Sequence, residues 1–143
     1  MDFAACTRDP PDQAIAWGLR STPHTYAWDV GGVCVAVAGI KDNVRPGMSV
    51  IWMAGTTAFD QVLAAGGARL SKRWLEVMAG HRSRLFNIVP ETNLRTVRWL
   101  EWLGFVRAAR HSDFHGLGHT CVEMHLHRSV SPPGRRRDDT VTA

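Results

Sequence analysis

LFNIVPETNLRTVRWLEWLGF, residues 85 to 105, is the stretch whose reading decides the fold. Its opening apolar run, Leu85, Phe86, Ile88 and Val89, suits a buried strand. Pro90 ends that run, and Thr92 or Asn93 offers a side-chain oxygen to the free N–H groups of a helix. Leu94, Val97, Leu100 and Leu103 then recur at helical spacing, with Arg95, Arg98 and Glu101 on the other side. Glu91 and Arg95 stand in the favourable (i, i+4) order for an ion pair. Gly104 supplies a left-handed stop, and Phe105 starts the next extended run. The local order is strand, capped helix, glycine, strand.

Downstream, Phe105 to Arg110 reads as a strand and His111 to Gly118 as a loop. His119 to Arg128 alternates, with Thr120, Val122, Met124 and Leu126 on one face and His119, Cys121, Glu123, His125 and His127 on the other. That second face is expected to be a polar one turned to solvent or a partner. Upstream, Pro11 fits the first turn of a helix running to about Arg20. His24 to Val30 and Val33 to Ile40 flank Gly31-Gly32, a two-residue hairpin signal. VCVAVAGI is apolar on both faces, as in a central strand. Asn43, Pro46 and Gly47 make the next turn, and Met48 to Ala54 is a third strand. Thr57 and Asp60 form a capping box for a short helix closed by Gly66-Gly67. A longer helix, Ala68 to Ala79, is expected to turn Leu70, Trp74, Val77 and Met78 inward and Arg69, Lys72, Arg73 and Glu76 outward.

The 143 residues suit one domain, large enough to bury about two-thirds of its unfolded surface. No apolar run approaches the ~20 residues of a membrane span, and the N-terminus lacks a signal-peptide core, which together point to a cytoplasmic protein. Cys6, Cys34 and Cys121 are scattered and fit reduced thiols better than a disulfide framework. The net charge is +4, but Arg135, Arg136 and Arg137 sit in a tail over 129–143 whose composition is that of a disordered segment. No nucleic-acid-binding motif accompanies the charge, so nucleic acid is not an expected partner. The six tryptophans call for core or interface positions.

The set Asn93, Thr96, Val97, Trp99, Leu100, Leu103, Gly104 and Phe105, behind an apolar strand, resembles the last helix of the GNAT superfamily of acetyl-CoA-dependent N-acyltransferases. The Trp-rich wording RWLEWLGF is similar to small acetyltransferase-like proteins of tailed phages, some of them internal virion or morphogenesis proteins. The resemblance covers about Asp12 to Arg128. It implies an α/β domain over residues 1–128, with a mainly antiparallel central sheet flanked by helices. The stretch before His24 is too short for the superfamily's usual first strand and helix. A sheet face left uncovered in that way would favour a homo-oligomer or a docked partner. The implied activity is transfer of an acetyl group from acetyl-CoA to an amine. The alternative is a non-catalytic phage protein that keeps the fold for virion assembly or for binding a phage or host protein.

The superfamily holds the cofactor's pyrophosphate on backbone amides at a helix N-terminus. Its loop reads Gln or Arg, two residues, Gly, one residue, Gly or Ala, and Gln61 to Gly66 matches with Ala64 in place of the first glycine. The resemblance thus implies Gln61, Gly66, Gly67, Ala68 and Arg69 as cofactor-binding residues, with Asn93 on the cofactor side. The competing reading makes the same loop residues helical and Asn93 a simple cap. The superfamily's thiolate donor is commonly a tyrosine seven residues after that asparagine, where this chain has Leu100, which cannot donate a proton. Glu91, Asp60 and His24 are the candidates for a general base by rough placement. His119, Cys121, His125 and His127 share a strand face, but no compact metal-ligand spacing appears and no metal is expected.

Overall fold

A computed structural model describes residues 11–22, 24–116 and 118–129. The tail assigned to residues 129–143 lies, beyond Ser129, outside the described residues, as does Cys6. The elements run α1 (Pro11–Ser21), β1 (His24–Val30), β2 (Val33–Arg45), β3 (Met48–Gly55), α2 (Thr57–Val62), a π-turn (Leu63–Gly67), α3 (Ala68–Ala79), β4 (Arg84–Pro90), α4 (Leu94–Trp102), β5 (Val106–His111), a 3₁₀ turn (Phe114–Gly116) and β6 (Cys121–His127). Among the described residues no helix is long and apolar enough to cross a membrane.

One six-stranded sheet in the order β1-β2-β3-β4-β6-β5 carries the molecule. Every neighbouring pair is antiparallel except β3 and β4. Those two pair in parallel only at Ser49–Leu85 and Val50–Phe86, and beyond these rungs they part. The crossover between them is α2, the π-turn and α3. The expected hairpin at Gly31-Gly32 forms, with both glycines at positive φ. β2 runs past Ile40 to Arg45, and its register shifts between Lys41 and Arg45, where Asn43 adopts φ 53°. The turn into β3 is therefore only Pro46-Gly47.

The core lies between the sheet and α2, α3 and α4. Ala38, Ile40, Ile51, Met53, Leu85, Val89, Val122, Met124 and Leu126 meet Phe59, Leu75, Met78, Val97 and Leu100 there. The other sheet face takes α1. Trp52 turns toward it and donates its indole N–H to Thr22 Oγ1 at 3.0 Å. A Cβ on Gly18 of α1 would come within 3.1 Å of the Trp52 ring, and one on Gly39 of β2 within 2.6 Å. The other tryptophans whose side chains are described sort by environment. Trp28, Trp74 and Trp99 pack against the core, with Trp28 and Trp74 centroids 4.6 Å apart, whereas Trp102 is exposed beneath Lys72 Nζ at 4.1 Å.

Several inward faces differ from the periodicity. In α3 the buried residues are Ser71, Leu75, Met78 and Ala79, while Leu70 and Val77 are exposed. The polar Ser71 is accommodated because its hydroxyl donates to the carbonyl of Ala68. In α4, Val97 and Leu100 are buried with Thr96, and Leu94 at the first turn is exposed. The capping box of Thr57 and Asp60 does not form. Thr56 is the N-cap, and both its N–H and its Oγ1 go to the carbonyl of Val35. The Glu91–Arg95 pair is also replaced, by Glu91–Arg110 and Asp60–Arg95, because the strand and helix on either side bring nearer partners.

Candidate active site

Where β3 and β4 separate, the structure opens beside α2 and α4. A groove of about 450 Å³ lies here, lined by Asp60, Gln61, Leu63, Ala64, Arg95 and Trp99. That volume is within the ~300–1,000 Å³ range of small-molecule sites. Arg95 stands at its edge with a side chain three-quarters exposed, held by Asp60 at 3.2 Å. Trp99 forms the wall next to the core, its ring edge-on to Phe59 at 6.2 Å. Its indole N–H donates to Ser71 Oγ at 3.1 Å, which ties α4 to the first turn of α3. The wall is thus fixed by packing and one internal hydrogen bond.

The loop residues implied by the resemblance line up along this region without forming one bare nest. Gln61 is helical, in the last turn of α2, and lines the groove. Gly66 is exposed at φ 102°, and together with Ala65 it makes the kink between α2 and α3. Gly67 is buried, and a Cβ there would lie 2.5 Å from the carbonyl oxygen of Val62, so only glycine fits. Ala68 begins α3 and Arg69 is exposed in its first turn, where no side chain caps the helix. Asn93 is the N-cap of α4, its side-chain oxygen accepting from the Thr96 N–H at 3.3 Å. The helical reading of the loop and the cap reading of Asn93 are therefore both realised as geometry. The groove between them is what the sequence did not announce.

The base candidates fall apart. Glu91 is bound by the fork of Arg110, with both hydrogen bonds at 3.0 Å, and this pairing holds its carboxyl below the usual range. His24 begins the edge strand β1 and faces Asp42, far along the sheet from the gap. Asp60 lines the groove but is engaged by Arg95. Leu100, at the tyrosine position of the resemblance, is buried. It faces a small internal void lined also by Trp28, Met53, Trp74, Trp99 and Phe105.

The β6 face expected to be polar and solvent-facing is instead closed over. Glu123, with a side chain only 5% exposed, is its centre. Arg45 donates Nη2 to Oε1 at 2.6 Å and Nη1 to Oε2 at 3.0 Å. His111 Nε2 meets Oε1 at 2.8 Å and His125 Nε2 meets Oε2 at 2.9 Å. A buried carboxylate is tolerated when paired and fully hydrogen-bonded, and these four bonds do that. The Arg45 fork is the main cause that holds the Glu123 carboxyl far below its ordinary range, with His125 and His111 adding to it against the opposing effect of burial. His119 and His127 remain exposed. The alternation of Glu123 with two histidines was visible in sequence, but Arg45 lies 78 residues away and only the fold brings it in. Among the described residues no group of His, Cys, Asp and Glu is placed to hold a metal ion.

No family model matches the sequence, and no curated protein matches it either. Solved structures do resemble the fold. An acetyltransferase from Bacillus subtilis, determined in complex with CoA, superposes with a TM-score of 0.69 at 15% identity over 85% of this chain and 86% of that one. An IAA acetyltransferase from Bacillus cereus gives 0.68 at 16% identity, covering 90% and 93%. A spermidine N-acetyltransferase chimera from Vibrio cholerae gives 0.57 at 13% identity over 72% of this chain, which spans only 65% of that protein's length. With a six-stranded mixed sheet, a parallel pair that parts and helices on both faces, the chain has the fold of the GNAT acetyltransferases.

Proposed function

We propose that this protein is an N-acyltransferase that moves an acetyl group from acetyl-CoA to an amine. The observation that carries the reading is the groove beside the parted strands, bounded by Gln61, Ala64, Arg95 and Trp99 and followed by the glycine kink into α3. Its chemistry fits a CoA ester. Arg95 offers a fork for phosphate, and Arg69 adds a second guanidinium on the first turn of α3. The uncapped start of α3 adds a partial positive charge. Leu63, Ala64 and Trp99 offer apolar contact to the thioester arm. In this reading the chain's residues bind and orient the ester; Leu100 takes no part in proton transfer, because an aliphatic side chain has no proton to give.

The non-catalytic alternative, a phage assembly or host-interaction protein with the same fold, draws on two observations. The segment from Thr57 to Gly67 is largely helical, and the tyrosine position is filled by a core leucine. Calorimetric titration with acetyl-CoA separates the two. Micromolar binding, weakened at least tenfold by Arg95→Glu, supports the acyltransferase. Absence of binding to the folded protein would leave the alternative in possession.

A further inference from the structure

We infer that the ring of Trp102, with Lys72 and Arg98 beside it, is the platform on which the adenine of the acyl-CoA stacks; the inference rests on the acyl-transfer reading above. Trp102 closes α4 but does not join its packing on the core. The buried residues of that helix are Thr96, Val97 and Leu100, and Trp102 is left 44% exposed. What meets its ring is a cation, Lys72 Nζ, 4.1 Å from the centroid. Arg98, also exposed, stands one turn back on the same row of the helix. A purine stacks on any open aromatic face, and the phosphates that accompany it draw ammonium and guanidinium groups. Trp102, Lys72 and Arg98 supply both.

The place of this ring relative to the groove is set by contacts between α4 and the elements before it. Arg95 meets Asp60 of α2 at 3.2 Å, Trp99 meets Ser71 of α3 at 3.1 Å, and Trp102 meets Lys72 at 4.1 Å. α4 therefore runs alongside α2 and the first turns of α3, and the kink at Gly66-Gly67 falls between the contacted residues. Arg95 to Trp102 is ~10.5 Å along α4, and Ala68 to Lys72 is ~6 Å along α3. The groove of Gln61, Ala64 and Arg95 lies at one end of this strip, the uncapped first turn of α3 in its middle and Trp102 at its far end. An acyl-CoA has its parts in the same order: thioester arm, pyrophosphate, adenosine. A single ribose separates the pyrophosphate from the base, and about one turn of helix, ~5 Å, separates Arg69 from Lys72.

The charges on the strip agree with this. Arg69, Lys72, Arg95 and Arg98 are all exposed, and Glu101, the acidic residue next to Trp102, is already paired with Arg107 at 2.9 Å. Lys72 covers the ring in the free chain. Adenine takes the place of the ammonium on the ring, and Lys72 and Arg98 then face the phosphate on the ribose.

Three ligands test the platform by calorimetric titration: acetyl-CoA, acetyl-4′-phosphopantetheine, which lacks the nucleotide, and adenosine 3′,5′-bisphosphate, which is the nucleotide end alone. Trp102→Ala is expected to weaken acetyl-CoA and the bisphosphate about tenfold and to leave acetyl-4′-phosphopantetheine within twofold. Trp102→Phe, which keeps a stacking face, is expected to lose less than about threefold. In ¹H–¹⁵N spectra of the native chain, the Trp102 indole signal, assigned by its disappearance in Trp102→Phe, is expected to shift on addition of the bisphosphate. An unmoved indole signal, an unchanged acetyl-CoA affinity in Trp102→Ala, or a loss shared equally by acetyl-4′-phosphopantetheine would overturn the platform and leave the acyl-CoA site standing. A native chain that binds no acetyl-CoA would overturn the acyl-transfer reading itself, and the platform with it.

Discussion

The indole N–H of Trp99 and the hydroxyl of Ser71 lie 3.1 Å apart, and that single bond joins the helix after β4 to the helix before it. Ser71 passes the connection on to the carbonyl of Ala68 at the start of α3. Trp99→Phe removes the donor and the five-membered ring with it, whereas Ser71→Ala removes only the accepting hydroxyl, for an expected loss of about 1 kcal/mol. In a chain of this length that is a fall of about 3 °C in melting temperature. Trp99→Phe is expected to cost more, because packing is lost with the donor, and the double variant about as much as Trp99→Phe alone. Strictly additive losses in thermal unfolding would show that the two groups are not coupled.

The two adjacent glycines of the kink make different demands. Gly66 has open space around it but φ 102°, so Gly66→Ala carries only backbone strain, about 1–2 kcal/mol. Gly67→Ala brings a methyl group against the Val62 carbonyl and is expected to cost more, because main chain must move. Urea unfolding of both variants ranks them. The reverse order would mean that the Val62 carbonyl is not where it is placed.

Acid stability depends on Glu123 and Asp42. Both carboxyls titrate lower in the folded chain than in the unfolded one. For Asp42 the first cause is the Arg82 hydrogen bond, for Glu123 the Arg45 fork. The unfolded chain therefore binds protons more readily. Their contribution is fully present above the ordinary carboxylate values, ~3.9 for Asp and ~4.3 for Glu, and is lost as pH falls below them. Asp42 is more exposed and contributes less through its screened pair. Glu123→Gln is expected to flatten the fall in stability below pH ~4.3, measured as urea midpoints across the acid range. An unchanged slope would remove Glu123 from the account.

Arg95 offers a separation of binding from stability. Its bond to Asp60 is an exposed ion pair, worth ~0–1 kcal/mol. Arg95→Ala is therefore expected to leave the melting temperature within about 3 °C and to weaken acetyl-CoA binding about tenfold. A large loss of stability, or no loss of affinity, would place the phosphate elsewhere.

Leu100→Tyr tests the core placement. The side chain is 4% exposed among aromatic neighbours, and the added ring and hydroxyl overfill the site. A destabilisation of about 1–3 kcal/mol with no gain in turnover is expected. A stable variant with faster acetyl transfer would put residue 100 at the reacting sulfur instead.

Much of the framework was legible because it is local. The strand, cap, helix and glycine stop from Leu85 to Phe105 follow from neighbours a few residues apart, and Asn93 and Gly104 act as their spacing implied. The limits of α3 were likewise marked by Ala68 and Gly80. Its inward face was not, because Ser71 is buried for a hydrogen bond that hydropathy does not record, while Leu70 and Val77 find nothing to cover them. The groove depends on where β3 and β4 part, and the Glu123 cluster on Arg45 arriving from β2. Both are relations between distant segments, invisible to periodicity.

Trp52 lies between Gly18 of α1 and Gly39 of β2; Gly39 leaves room for the indole only by having no side chain, and Gly18 sits close against it. The three positions consequently form one unit of inheritance. A methyl group at 39 is excluded while the indole is in place, and one at 18 asks the ring to give by a few tenths of an ångström; a small residue at 52 relieves both. Thr22, whose hydroxyl receives the indole N–H, is then released from that duty as well. Drift at 39 must therefore begin with Trp52, whereas 18 is held less tightly.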